Sequence, residues 1–414
     1  MKELKELKEV ERCLVTSQCG QFFLTYYKYK SCIKIFNKIK TELSLSPAHD
    51  KEIWLFITCV ARSLKSGVNG SEFSLSAPVY KKANNIHNLK LSHIRASRVI
   101  NLLDKLGYIE YYKGYGTPFI HSYNWARGCI LFTDKLKFLF SEEVLSKIKT
   151  NLEPTQLVEI RDKESNKCIL SYSKVKGVVP KRNFMLYYNS VLSKHKVELF
   201  GNTCVVQYKQ IFHEDLDSGG RIYSFGKFQT IKSEFRKHLT IDGEETTEVD
   251  LSNLHVSILR CLQGIPPVGN NFDQYTIKGY PRSVCKMAIM CMINCRTKRG
   301  SCIALKNICD DNEEYPYTKD DCKDIIEKLL ELNKPVVFFG KGSSDWKTLQ
   351  RIDSSICEFV IGQFIKEGFE EAILTYHDSW VVKRSYRDYL VESIKNAWKF
   401  TMKVDYDCKV KVEF

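Results

Sequence analysis

Two β-prone runs, AILTY and WVVKR, are separated near the end of the chain by only His377, Asp378 and Ser379. A reversal that short leaves an antiparallel hairpin as the local structure, with Asp378 at its turn. Far upstream, TTEVDL alternates like a strand and SNLHVSILRCL has helical spacing, so Asp250 stands where a strand gives way to a helix. Either aspartate alone is ordinary, since Asp is common in turns and common as a helix cap. Between them, in YPRSVCKMAIMCMINC, Arg282, Lys286, Met290 and Asn294 recur every four residues and share a helix face led by two cations.

The 414 residues are 43% hydrophobic, enough for a core and for two or three domains. A net charge of +14 favours polyanionic partners such as nucleic acid or acidic lipid, although it also describes a lysine-rich solvated surface. The 16 cysteines include no C-x-x-C pair, which points to a reducing compartment and a cytoplasmic protein. The start, MKELKELKEVERCL, lacks the apolar run of a secretory signal, and no stretch has the apolar length of a bilayer span. No membrane partner is expected, and oligomeric state is not legible.

The chain divides into a helix-rich first third and a β/α second half, with 1–45 read as a helical extension and 151–210 as a connecting segment. Within 46–150, KEIWLFITCVARSLK has helical spacing. LSHIRASRVINLLDKLG reads as a second helix capped by Ser92 and ended at Gly107, with an apolar stripe of Val99, Leu102, Leu103 and Leu106. YIEYYKGYG follows as a strand into a short hairpin with Lys113 and Gly114 at its tip. This order resembles the winged-helix domains of plasmid replication initiators, which implies DNA contacts from His93, Arg95, Arg98 and Lys113.

Taken together, the motifs of the second half resemble the palm and fingers of family A DNA polymerases and of single-subunit phage-type RNA polymerases. DLSNLH, Asp250 to His255, is similar to their palm motif; RSVCK, Arg282 to Lys286, to their fingers helix; His377, Asp378 and Ser379 to their palm hairpin. GGRIY, carrying Arg221 and Tyr223, and LQRIDSSICEFVI, carrying Gln350, resemble elements that touch primer and template. The resemblance covers about 210–414. It implies an α+β fold: an N-terminal helical winged-helix domain, then a compact polymerase palm (antiparallel sheet) over 211–414 with a small fingers insertion at about 275–345.

What the resemblance implies for chemistry is template-directed nucleotidyl transfer on a DNA template or primer–template duplex. Two Mg²⁺ ions, with Mn²⁺ as an alternative, would be held by Asp250, Asp378 and the carbonyl of Leu251. Arg282 and Lys286 would bind the nucleoside triphosphate, Lys286 also serving catalysis, and His255, Met290 and Asn294 would surround the nucleotide. His377 would shape the hairpin and approach the nucleic acid. His255 stands where many of these DNA polymerases have Glu, and Asn294 where an aromatic is usual. Met290 and RSVCK lean towards ribonucleotides; the bulk of His255 and the replication-like first third lean slightly towards deoxyribonucleotides.

Three other readings compete. Cys291, Cys295, Cys302 and Cys309 lack the close spacing of a zinc knuckle, and consecutive His-Asp-Ser cannot converge as a hydrolase triad. A two-metal nuclease would use the same carboxylates but has no triphosphate for an Arg-Lys helix to hold. The main alternative is a non-catalytic, DNA-binding replication initiator or regulator whose polymerase-like half only grips nucleic acid. Against it, a pure binder gains nothing from two repelling carboxylates in a basic cleft.

Overall fold

The structure, a computed structural model, describes residues 2–3, 19–20, 28–65, 69–87, 90–114, 128–148, 157–162, 175–204, 206–224, 228–269, 272–311, 314–339 and 346–414. It mixes helices with mainly antiparallel sheets and divides into two compact units. The first comprises Met1–Glu153, Leu192–Gln207 and Ser224–Glu245; the second comprises Pro154–Val191, Tyr208–Tyr223 and Thr246–Phe414. No described helix is long and apolar enough to cross a membrane.

In the first unit the order is α1 (Ile33–Leu43), α2 (Asp50–Lys65), β1 (Gly70–Glu72), α3 (Ala77–His87), α4 (His93–Lys105), β2 (Ile109–Lys113) and β3 (Cys129–Phe132). The middle of helix α2, residues 53–61, is apolar almost all round, so it lies in the core, where Trp54 stacks on Phe36 of α1 at 4.6 Å. Ser92 caps α4 by accepting the Arg95 N–H at 3.4 Å, and Gly107 ends the turn at φ 71°. β3 pairs antiparallel with both β1 and β2.

Three sequence expectations change here. The buried face of α4 is Ala96, Val99, Ile100 and Leu103, not the expected stripe: Leu102 is half-buried and Leu106 is exposed. Lys113 is not at a hairpin tip but closes β2, whose antiparallel partner begins at Cys129. The intervening 115–127, including Gly116, lie outside the described residues. Residues 1–45 contribute strand as well as helix, since Lys2–Glu3 runs parallel to β2 and Cys19–Gly20 parallel to β1.

Beyond residue 154 come β4 (Val158–Arg161), α5 (Val178–Leu192), β5 (Val197–Leu199), β6 (Tyr208–His213), β7 (Gly219–Ser224), β8 (Leu239–Ile241) and β9 (Glu244–Leu251). They are followed by α6 (Leu254–Leu262), α7 (Arg282–Asn294), α8 (Lys298–Asp310), α9 (Lys319–Leu332) and α10 (Trp346–Ile365). The chain closes with β10 (Leu374–Tyr376), β11 (Ser379–Lys383), α11 (Arg387–Met402) and β12 (Val410–Glu413). The segment 151–210 is divided between the two units rather than passing as a linker, because α5 buries Met185, Tyr188 and Val191. Tyr188 stacks on Tyr208 of β6 at 5.4 Å and donates its hydroxyl to the carbonyl of Ile373 at 2.7 Å.

Candidate active site

Strand β9 is the ruler of the second unit. On one side it pairs antiparallel with β11, Asp250 opposite Ser379; on the other it pairs antiparallel with β12, Asp250 opposite Lys411. The Leu251 N–H donates to the carbonyl of Asp378 at 3.0 Å, which brings the ends of β9 and of the β10–β11 hairpin together. Ser379 donates its hydroxyl to the buried Glu248 carboxylate at 2.7 Å. That hydrogen bond gives Ser379 a structural task.

The hairpin turn is His377 and Asp378, with Tyr376 paired to Ser379. A two-residue loop needs a positive φ, normally supplied by Gly or Asn, and here His377 takes φ 64°. Its ring packs edge-on to Tyr223 at 5.6 Å, and its Nδ1 is buried without a hydrogen-bond partner. Burial, and then the nearby Arg221, hold the imidazole below its usual pKa. A second left-handed residue, Asn253 at φ 57°, turns β9 directly into α6 and sets His255 on the first turn of that helix.

Asp250, Leu251, His255, Arg282, Lys286, Met290 and Asp378 line one cavity of about 550 Å³, a volume typical of small-molecule sites. Burial, followed by repulsion from Asp378, raises the Asp250 carboxyl to about 7, and Lys286 pulls it partly back down. Arg282 donates to Asp273 Oδ2 at 2.6 Å and to Asn253 Oδ1 at 3.3 Å, and lies over the Tyr275 ring. Burial pushes Asp273 up, but hydrogen bonds from Arg282, the Tyr275 backbone and Thr276 outweigh it and hold this carboxyl at about 2.

Asn294 does not line the cavity. Residues four apart on an α-helix drift by about 40° per step, so the fourth member of the series has turned away. Asn294 is the exposed last residue of α7. Gln350, on α10, is likewise absent from the cavity wall. The lining also includes charged and aromatic residues that sequence reasoning missed: Asp273, Tyr275, Lys409, Lys411 and Glu413. Only the last three left a signal, the i, i+2, i+4 alternation of KVKVE, which puts them on one face of a strand.

Arg221 has a different setting from the one expected. Its guanidinium donates to Asp353 at 2.7 Å and 2.8 Å and to Nε2 of His255 at 3.1 Å, so its Nε and Nη2 face partners inside the protein. The glycines before it explain GGRIY physically. Gly220 has φ +86°, and a Cβ there would meet Phe212 at 2.7 Å and Ser354 Oγ at 3.0 Å, so β7 can lie close to α10 only with glycine. Burial raises the pKa of Tyr223, while Arg221 beside it acts in the opposite direction.

No described group of three or more His, Cys, Asp or Glu side chains is placed to hold a metal ion. Asp250 and Asp378 line the same cavity and repel each other, and Leu251, a further lining residue, has a backbone carbonyl as an oxygen donor. All-oxygen donors and a repulsion that a cation would relieve fit a hard divalent ion. Cys291, Cys302 and Cys309 are buried side chains on α7 and α8.

In the first unit, the outer face of α4 opens on a groove lined by Leu75, His93, Ile94, Ser97, Arg98, Asn101, Leu102 and Lys105. Arg98 is exposed there. Arg95 is tethered: its Nε donates to the fully buried Glu52 at 3.2 Å, and Glu52 also accepts the Ser92 N–H at 2.8 Å.

No protein-family model matches the chain, and no curated protein matches it. Among solved structures it is similar to the POL domain of Pol1 from M. smegmatis, in complex with DNA primer-template and dNTP. The identity is 13% and the TM-score 0.32, over 92% of this chain and 65% of that one. A likeness of that size says nothing about residues or substrates.

Proposed function

We propose that this protein is a template-directed nucleotidyltransferase whose active site is the cavity at the end of β9. The observation that carries the reading is the pairing of β9 with the β10–β11 hairpin, which supports two carboxylates, Asp250 and Asp378, at one cavity whose wall also bears Lys286 and Arg282. Asp250 and Asp378, with the Leu251 carbonyl, would hold Mg²⁺ or Mn²⁺. When bound, such a pair of ions supplies Lewis acidity at the reacting phosphate and lowers the pKa of the attacking hydroxyl.

The chain's own residues supply the rest. Lys286 offers a mobile point charge to the triphosphate and a proton to the leaving pyrophosphate, while Arg282, pre-oriented by Asp273, offers its remaining N–H groups. His255 and Met290 give the nucleotide a bulky wall, and deoxyribonucleotides are favoured because Asn294 is not available to greet a 2′-hydroxyl. Tyr223 and His377, packed on each other, would face the nucleic-acid strand, with Gln350 as an outlying contact.

In the first unit the order α2–β1–α3–α4–β2–β3 supports a winged-helix reading, with α4 as the helix that enters the major groove of duplex DNA. Arg98, Ser97, Asn101 and Lys105 are suited to that task, His93 lies at the groove's edge, and Lys113 sits at the root of the wing.

The deciding experiment offers primed and unprimed DNA templates with Mg²⁺ and labelled deoxyribo- or ribonucleoside triphosphates. Extension only with deoxyribonucleotides is expected. Extension only with ribonucleotides overturns the sugar assignment, and incorporation of neither on any template returns the protein to the DNA-binding alternative.

A further inference from the structure

Outside the lining of the cavity, but in contact with its His255, lies a largely buried ion pair, and it bears on the active-site reading above, on which this inference rests. Arg221 Nε and Nη2 both donate to Asp353 Oδ2, at 2.8 Å and 2.7 Å. The Asp353 side chain is 2% exposed and that of Arg221 18%. The same Nη2 lies 3.1 Å from Nε2 of His255.

A guanidinium has only donors, so Nε2 of His255 accepts, and the imidazole is neutral with its proton on Nδ1. Burial also holds the ring below its ordinary pKa, with Arg221 adding to that and Asp353 opposing it. The ring is thereby tied at one atom to a cation that is itself anchored by two hydrogen bonds. A side chain that selects a sugar by bulk must stay where the sugar would be, and an untethered imidazole on the first turn of a helix has other rotamers open to it.

We propose that Asp353 is a positioning residue for sugar selection: by anchoring Arg221 it fixes His255 against the cavity, so that discrimination between deoxyribo- and ribonucleoside triphosphates depends on a carboxylate outside the cavity wall. Asp353 comes from α10 and His255 from α6, so the tether joins two helices that share no local sequence signal.

The test compares the ratio of kcat/KM for a deoxyribo- and the matching ribonucleoside triphosphate in single-nucleotide extension, for the wild type, Asp353→Asn, Asp353→Glu, Arg221→Lys and His255→Ala. Losing one hydrogen-bonded tether should lower the ratio roughly tenfold in Asp353→Asn and Arg221→Lys, towards the His255→Ala value. Asp353→Glu should recover part of it, and Asp353→Asn should add nothing to His255→Ala. Thermal melts identify any variant that fails to fold. Should Asp353→Asn be one, Arg221→Lys still carries the prediction, because lysine keeps a charge for Asp353 but not the fork that reaches His255. Ratios unchanged in folded variants, or full additivity with His255→Ala, overturn the inference alone. A wild type that incorporates neither nucleotide overturns the active-site reading itself.

Discussion

Lys411 is the cross-strand partner of Asp250, so an ammonium and a carboxyl raised to about 7 flank each other on neighbouring strands at the wall of one cavity. Lys411 also pairs with Glu413 at 2.6 Å, and its side chain is 63% exposed. An exposed, partly engaged lysine contributes less than one aimed at the substrate. Lys286→Ala should therefore cut kcat/KM for nucleotide on the order of a hundredfold, and Lys411→Ala by less than about tenfold, mainly through KM. Steady-state kinetics with a fixed primer–template checks both, and a larger loss at Lys411 would reverse the ranking.

Replacing either acidic residue tests the metal proposal. Asp250→Asn and Asp378→Asn should each lower incorporation by at least about a thousandfold while DNA affinity stays within a few-fold. In the wild type, Mg²⁺ should raise the melting temperature with the logarithm of its concentration above Kd, and in both variants that rise should disappear. Metal-dependent synthesis that survives in both would end the proposal.

The raised pKa of Asp250 has a sign that stability measurements can read. A carboxyl lifted to about 7 in the folded state, from near 4 unfolded, binds its proton more tightly when folded. Its favourable contribution is complete below about pH 4, is lost as pH rises to about 7, and stays lost above. In metal-free protein Asp250→Asn should thus be more stable than wild type at pH 8, with the gap closing as pH falls towards 4. Urea titrations at pH 4.5, 6 and 8 measure this, the wild type losing at most roughly 1.4 kcal/mol per pH unit relative to the variant.

For DNA binding, the two arginines of α4 separate cleanly. Arg98→Ala should weaken duplex binding and reduce the salt dependence of log K by about one counterion. Arg95→Ala should instead destabilise the first unit by about 1–3 kcal/mol, because it leaves Glu52 buried without its cation. Binding isotherms at several salt concentrations, with denaturation curves beside them, distinguish the two effects.

Gly220→Ala should destabilise the second unit by about 1–3 kcal/mol, since a Cβ at φ +86° would press on Phe212 and Ser354. Gly243→Ala, also at positive φ but with nothing within 4 Å, gives the control for backbone strain alone. Equal losses at the two positions would show that close packing of β7 on α10 is not the reason for glycine.

What the sequence conveyed about the site follows from range. The spacing of Arg282, Lys286 and Met290, the two-residue turn at Asp378 and the strand end at Asp250 are all local patterns, and the structure gathers these residues at one cavity. The partnership of Arg221 with Asp353 spans 132 residues, so no local pattern around Arg221 could announce the buried ion pair that holds it. The same limit explains Arg95, whose partner Glu52 is on another helix, and the wing, whose return strand lies past 115–127. The mixture of helix and strand was legible from periodicity; the assignment of 151–210 to two units was not, because only tertiary burial distinguishes α5 from a helical connector.

The left-handed turn at His377 leaves the hairpin no slack. With two residues between Tyr376 and Ser379, Asp378 cannot be moved by loop motion without unpairing β10 from β11. The backbones that carry Asp378 and Asp250 are therefore held at about the 4.8 Å spacing of hydrogen-bonded strands, through the Leu251 N–H bond to the Asp378 carbonyl. Distance control of this kind comes from backbone geometry common to every sheet. A family of such sites could then vary nearly every surrounding side chain and keep its two acids in register.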